Sequence, residues 1–466
     1  MKDLINKYRF TVKPVSLENS NSLELARSIQ VHPLTYQELP YDPEYSNYAG
    51  RLTLEKLSNV SPEEMYWKGR QEIIFRHTGE HPFEISGPDS LKLLQKIFPR
   101  DVSKISKGRC SYQFACYHDG GMITDGVLLK IDEDKYWFAQ ADGDLFSWYK
   151  AHSKNMDVEI KDPEVWVSQI QGPLSMKLLE NIADRFSEND WKYFDWKELQ
   201  ILDQKVIVSR SGFTNELGWE IYFRPENETE KIGDYILEEG KKLGMILVAT
   251  PGFRCRRIEA GLLSAGQDFS KKTDPFSVGL GRFINFDKED FIGKEALMKS
   301  DRKCKTWGIR VVDGTALKGE SIKINEKNIG RITSSTWSPY QICGVGIVHL
   351  DNNENGPGDV VDVKCTDGKV HKGEICKLPM YDAKGEIVRG INRNIPKQPN
   401  PWPRIWLFRN IPIYTSNNFS FCIIHWQFTD FSFMYFSISA FNIYNISWAI
   451  FIIIKVNDTN TTNLIW

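Results

Sequence analysis

The last 57 residues of this 466-residue chain, from Asn410 onward, hold only three charged side chains, Asp430, Lys455 and Asp458; the other 117 of the 120 lie in the first 409. A stretch so poor in charge does not share a fold plan with what precedes it, because a globular domain needs charged groups over the surface that faces water. From Pro396 the segment also carries 17 of the chain's 58 Phe, Trp and Tyr residues, mixed with Ile, Asn and Ser in neither a helical nor a strand period. Pro396, Pro399, Pro401 and Pro403 mark the join as a linker. Three readings of the segment are open. Phe431 to Ile454 is 24 residues without charge, enough to cross a hydrocarbon core of ~30 Å, but six Ser and Asn residues make it a poor apolar helix. A docked extension would need an amphipathic spacing that the segment lacks. We favour a tail outside the fold, whose Phe/Ile/Asn/Tyr/Lys vocabulary is that of AT-rich codons, as after a frameshift or a lost stop codon; a membrane partner is not expected.

The first 395 residues therefore carry the fold, a length for two or three domains. Lys+Arg 59 against Asp+Glu 61 and a pI of about 6.5 argue against a nucleic acid as partner, since a phosphate backbone selects a basic face. The eight cysteines are scattered, with no CxxC pair and no Cys/His run at zinc spacing, so neither a disulfide framework nor a structural metal is indicated and a reducing cytoplasm fits best. The opening MKDLINKYRFTVKP lacks the apolar run of roughly 7 to 15 residues of a secretory signal.

Strand-like and helical patterns alternate, which gives a mixed α/β (α+β) chain. Ser90 to Phe98 has Leu91, Leu94 and Phe98 on one helical face, with Asp89 as the expected N-cap and Pro99 as the stop. Gly126 to Ile131 and Tyr136 to Ala141 read as a hairpin about the turn Asp132 to Lys135. Thr250 is expected to cap a helix with Pro251 at its first position, Ile258 and Leu262 on its buried face and Gly266 past its end. From Trp307 to about Leu378, short strands between Gly- and Asn-rich turns predict a small β-barrel or sandwich.

Phosphate-loop, HExxH and GxSxG signatures are absent, so nucleotide and hydrolase chemistry lose ground. Asp125 follows two glycines in GGMITDGVLLK, where a sharp bend and a strand start would fix its carboxylate; the ordinary reading is a turn residue. Glu216 sits in the polar loop of SRSGFTNELGWEIYF, between the strands Lys205 to Ser209 and Trp219 to Phe223, where a solvated acid is the ordinary reading. Arg254 and Arg257 share a helix face at i, i+3; such a pair suits an anion, and pairing with Glu259 and nearby acids is the more common use. His77, His81 and His118 are too spread to suggest a metal site.

Six segments in order, GGMITDG, IQGPLSMKLL, SGFTNELGWEIY, RRIEAGLLSAGQD, DPFSVGLGRFINFDKEDFIGKEAL and GRITSSTWSP, together resemble the aminomethyltransferase family, the glycine cleavage T-protein and its tetrahydrofolate-dependent demethylase relatives. The resemblance covers about residues 70 to 380. It implies a three-domain ring with tetrahydrofolate in a central channel: an N-terminal α/β folate-binding domain over 1-165, a second α/β domain over 166-300, a C-terminal β-barrel over 301-395, and the tail 396-466 outside it. Carried over by position, Asp125 matches the catalytic aspartate and Glu216 the glutamate that binds the pterin ring. Both suit the chemistry, since a carboxylate accepts the pterin's amine and ring N–H side by side, and another near the reacting nitrogen holds or accepts its proton. Arg254 and Arg257 would then line the folate or face its glutamate tail as further cofactor-binding residues, Arg257 in the family register and Arg254 about one residue out of it.

The departures concern the donor. Phe75-Arg76-His77-Thr78 stands where the family has an aspartate-valine-serine run, Gln140 where an asparagine is usual, and Arg282 where the GLGW pattern has tryptophan. The stretch VHPLTYQELPYDPEYSNYAG also resembles the demethylase side. The expectation is a cytoplasmic transferase moving a methyl or aminomethyl carbon from a small N-, S- or O-methylated substrate to tetrahydrofolate. The alternatives are a T-protein acting on an aminomethyl-lipoyl carrier protein, and a folate-binding protein without turnover; the KGCY-type motif of that last branch is absent, Lys107-Gly108-Arg109-Cys110 being the nearest stretch.

Overall fold

The computed structural model describes residues 29–399 except 144, and the backbone of two further strands, Met434–Ser439 and Phe451–Val456. The chain forms two compact units, Met1–Pro399 and Asn400–Trp466. In the second, the two strands pair antiparallel with Met434 opposite Val456. The rest of the uncharged stretch 431–454 lies outside the described residues, and no helix among the described residues is long and apolar enough to cross a membrane.

The first unit holds two large antiparallel-rich sheets, a barrel and the two-stranded sheet of Pro43–Tyr48 and Arg51–Leu57. Strands Cys110–Cys116, Met122–Asp132, Lys135–Gln140, His81–Ser86 and Glu159–Lys161 follow one another across a five-stranded sheet. The expected hairpin is there, with Leu128 opposite Phe138. The second sheet runs Trp196–Ile201, Gln204–Ser209, Gly218–Phe223, Trp166–Gln171, Ile74–His77 and Ile246–Leu247, and only its last pair is parallel. Ile74–His77 thus leaves its chain neighbours to join the much later strands Trp166–Gln171 and Ile246–Leu247. The sheets are joined face to face by Leu129, Trp137 and Ala139 of the first against Val167, Ile207 and Tyr222 of the second, all buried. Alternation puts these side chains on one face of each strand, so removing them from water fixes the register of both sheets.

The C-terminal strands Thr306–Val311, Ser321–Ile324, Lys327–Ser338, Cys343–Leu350, Val360–Lys364 and Val370–Cys376 close into a barrel around Ile309, Ile322, Ile332, Val348, Val363 and Ile375. Closure leaves no free sheet edge. The turn Asn325-Glu326 has φ 48° and 62°, as the tightest hairpin connection requires.

Helix ends differ in detail from expectation. Ser90–Ile97 is helical with Asp89 at the N-cap as expected, but the Asp89 side chain makes no capping bond; its Oδ2 accepts from the Asp157 amide at 2.8 Å, tying the helix to the stretch that leads into strand Glu159–Lys161. Thr250–Glu259 has Ala249 at the N-cap, because the Thr250 hydroxyl instead donates to the Leu54 carbonyl at 3.0 Å. That helix ends before Leu262, as Gly261 turns to φ 67°.

Candidate functional site

Asp125 sits on Met122–Asp132, directly opposite Phe114. Two positions along each strand, on the same face, Tyr112 is opposite Val127, which lets the Tyr112 hydroxyl donate to Asp125 Oδ2 at 2.8 Å. Gly126 follows because a Cβ there would lie 2.3 Å from the Ala139 carbonyl oxygen. The carboxyl is buried, and burial pushes its pKa up to about 7 against the opposing Tyr112 hydrogen bond. Asp125 is therefore poised to change protonation near neutrality.

The cavity that Asp125 lines, ≈ 90 Å³, is completed from the second sheet and from the loop after helix Thr250–Glu259. Tyr48, Tyr112, Phe194 and Phe213 supply rings, and Glu80 and Glu220 supply two further acids. Glu220 is held from four directions: by Gln169 Nε2 at 2.9 Å on Oε1, and on Oε2 by the hydroxyls of Ser211 at 2.6 Å, Tyr222 at 3.1 Å and Ser209 at 3.3 Å. The same Gln169 amide donates to Glu80 Oε1 at 3.2 Å, so one NH₂ group bridges the two acids. Burial raises the pKa of each, with Glu220 adding to the rise at Glu80. Three acids thus face one cavity that no Lys or Arg lines. Such a site accepts hydrogen bonds and positive charge, and repels anions.

Glu216 is elsewhere. Its carboxylate forms a buried ion pair with Arg70, which also binds Glu259 and stacks 3.8 Å over the Tyr381 ring. Glu259 in turn accepts from Tyr66 at 3.0 Å and Ser338 at 2.5 Å. Glu216 borders a separate cavity with Arg70, Leu217, Tyr381, Ile395 and Pro396, and shares no wall with Asp125. Arg254 pairs with Glu55 at 3.1 Å, and Arg257 is buried against Asp268 at 2.8 Å and Ser334 at 2.9 Å. Neither arginine lines the Asp125 cavity, nor do Phe75 to Thr78 or Gln140. His77 is instead stacked on His32, with ring centroids 4.8 Å apart, and Gln140 holds the loop at Leu145.

Glu220 and Glu80 escape a sequence reading because each looks like one more surface acid. A signal did exist for Glu220: it is the one acid in Gly-Trp-Glu-Ile-Tyr-Phe, a strand whose other members are all residues that pack, and all six positions are buried.

Residues 35–288 match the family model described as the GCVT N-terminal domain, and residues 305–382 match the glycine cleavage T-protein C-terminal barrel domain. The chain belongs to this family. It is 30% identical over 315 residues to an aminomethyltransferase of Halothermothrix orenii, covering 65% of this chain and 86% of the relative. It is 31% identical over 299 residues to a dimethylsulfoniopropionate demethylase of Ruegeria pomeroyi, covering 62% and 80%. Its fold is that of the glycine cleavage system aminomethyltransferase T from Bartonella henselae, with a TM-score of 0.68 and 18% identity over 76% of this chain and 98% of that one. A GCVT-family chain with a closed six-stranded C-terminal barrel is what the order of the six sequence segments implied.

Proposed function

We propose that this protein transfers a one-carbon unit from a small methylated donor to tetrahydrofolate, with Asp125 handling the proton and Glu220 orienting the pterin. The observation that carries the reading is the Asp125 cavity, in which three acids converge with no lining cation. The donor set fits a pterin head: the Glu80 and Glu220 carboxyl groups are acceptors set side by side, Gln169 Oε1 is buried without a hydrogen-bond partner, and a pterin edge offers amine and ring N–H groups to satisfy them. The volume of ≈ 90 Å³ is well below the ~300 Å³ or more that holds a whole drug-sized ligand, so the cavity suits the head of a folate and not its tail. The role that family resemblance gives Glu216 falls to Glu220 in this reading, since the Glu216 carboxylate is engaged by Arg70.

When bound, the folate supplies the nitrogen that takes up the carbon. Asp125, near pKa 7, takes or holds a proton at that nitrogen. Its carboxylate also stabilises positive charge that develops at the reacting centre. Tyr112 fixes the carboxylate through Oδ2 and leaves Oδ1 to face the reactants. The surrounding rings keep water out, which strengthens each of these interactions. A cavity with acids and aromatic faces also favours a donor whose methyl group sits on a cationic nitrogen or sulfur.

The test combines the full chain, tetrahydrofolate and methylated amines, sulfonium compounds or aryl methyl ethers, with methyl- or methylene-tetrahydrofolate read by mass spectrometry. Turnover is expected with at least one donor class, falling ~100-fold or more in Asp125→Asn. Folate binding should weaken about tenfold or more in Glu220→Gln and change far less in Glu216→Gln. No product with any donor, or an Asp125→Asn variant as active as the parent, would sink the assignment.

A further inference from the structure

Beside the acidic cavity lies a cleft of opposite character. It encloses ≈ 390 Å³ between the segment 100–111 and the turn 282–285, and Arg100, Lys104, Arg109 and Arg282 all border it. Two of these cations are spent: Arg109 is ion-paired with Asp195, and Lys104 lies 3.5 Å from Asp101. Asp101 is the one acid in the wall, and its carboxylate is already engaged. Its Oδ1 accepts from the Ser103 amide at 3.0 Å, the Ser103 hydroxyl at 2.6 Å and Gln95 at 2.7 Å.

Arg100 and Arg282 have no carboxylate partner among the described residues. Arg100 is half-buried and makes one hydrogen bond, from Nη1 to the Tyr112 carbonyl at 3.0 Å. Both guanidinium groups approach the ring of Phe283, their Cζ atoms 5.1 and 4.9 Å from its centroid, so they lie at most about 10 Å apart. Two guanidinium groups on one ring, neither neutralised by a carboxylate, leave positive charge at the cleft. Arg282 is solvent-exposed, but the backbones that carry the two arginines are fixed to each other. Lys288 Nζ donates to the carbonyls of Gln95 at 2.6 Å and Phe98 at 2.5 Å, and the Asn285 amide donates to the Pro99 carbonyl at 3.0 Å, so the loops carrying the two arginines are tied to each other. Arg282 is the residue that stands in place of the tryptophan of the GLGW pattern.

Tyr112 lines the Asp125 cavity and also touches two residues of the cleft wall, Arg100 and Phe283. Its hydroxyl is on Asp125, its ring lies 5.5 Å from that of Phe283, and its carbonyl is on Arg100. A molecule with a cationic or N–H-bearing end and an acid end would find the first demand met at the cavity and the second at the cleft.

From this geometry we infer that Arg100 and Arg282 form a carboxylate-binding subsite for a molecule reacting at Asp125. The inference rests on the proposed transferase reading. Two sources of that carboxylate fit, the glutamate tail of the folate and an acid group on the donor, and both present the planar, bidentate acceptor that guanidinium groups match.

The experiment measures binding by calorimetry to the full chain for three probes. The first pair is tetrahydrofolate against tetrahydropteroate, which lacks the glutamate; the second is dimethylsulfoniopropionate against its methyl ester; the third probe is glutarate alone. Parent protein should prefer the acid of at least one pair by tenfold or more and bind glutarate saturably. Arg282→Gln and Arg100→Gln should each reduce that preference severalfold, with Arg282→Lys retaining part of it and thermal midpoints unchanged. A preference confined to the first pair assigns the cleft to the folate tail, and one confined to the second assigns it to the donor. If neither pair shows a preference and glutarate binding is unaltered in Arg282→Gln and Arg100→Gln, the subsite does not exist. Should tetrahydrofolate itself fail to bind, the transferase reading falls, while the glutarate series still decides the cleft.

Discussion

At the scale of single residues, the chemistry turns on what burial does to a carboxyl group. Asp125 has a pKa raised to about 7, so between pH ~4 and 7 the folded chain holds a proton that the unfolded chain releases. The folded state is therefore favoured by Asp125 at low pH and loses that contribution as pH rises through 7. Asp125→Asn should be more stable than the parent at pH 8, and the gain should shrink towards pH 5; denaturant titrations at the two pH values check it. If Asp125 acts as a base, kcat/KM should rise with pH through an inflection near 7 that Asp125→Asn abolishes, as a pH–rate profile would show. The position of Asp125 was legible because two glycines and a strand announce it. The role of Glu220 was not, since an acid earns meaning only from the groups that surround it, and Gln169, Ser209, Ser211 and Tyr222 are brought around it by strand pairing.

At the scale of elements, helix Thr250–Glu259 joins the sheets to the barrel, and its neighbouring arginines behave differently. Arg257 binds Asp268, which also accepts from Thr333 and Ser334 of the barrel at 2.6 Å each. Arg256 is fully buried with all three guanidinium nitrogens lacking a hydrogen-bond partner, packed where a Cβ on Gly69 would overlap it. Removing one partner of a buried pair strands the other charge, whereas replacing a buried charge that has no such partner strands none. Arg257→Met should therefore cost about 3–5 kcal/mol. Arg256 makes no hydrogen bond and is attracted only at longer range by Glu216, so Arg256→Met should cost less than Arg257→Met, and chemical denaturation followed by fluorescence compares the two. Sequence spacing put Arg254 and Arg257 on one helix face, but Arg254 is partly exposed and Arg257 buried. Their partners, Glu55 and Asp268, come from other elements and could not be read from the helix alone.

For the molecule as a whole, the compositional break and the compact units nearly coincide. The first unit runs to Pro399, a few residues beyond the linker's first proline, because the stretch after the barrel is used. Arg210 Nη2 donates to the Arg389 carbonyl at 2.9 Å, Gln71 Nε2 to that of Pro396 at 2.9 Å, and Ile395 and Pro396 border the cavity at Glu216. A chain ending at Pro399 should unfold within about 2 °C of the full chain by calorimetry. Ending it at Met380 exposes the Arg70–Glu216 ion pair and should lower the midpoint by several degrees.

The amino-acid sequence determined the family, the mixed α/β plan, an all-β C-terminal module and the separation of the last segment, because these follow from hydrophobic period, turn residues and motif order, which are local properties. Only the tertiary structure decided which acids share a cavity. Glu216 and Glu220 are four residues apart, yet one is engaged by Arg70 from a distant helix and the other lines the cavity of Asp125. Strand alternation and loop direction set which way each points, and the partner it then meets, through burial and charge, sets what it can do.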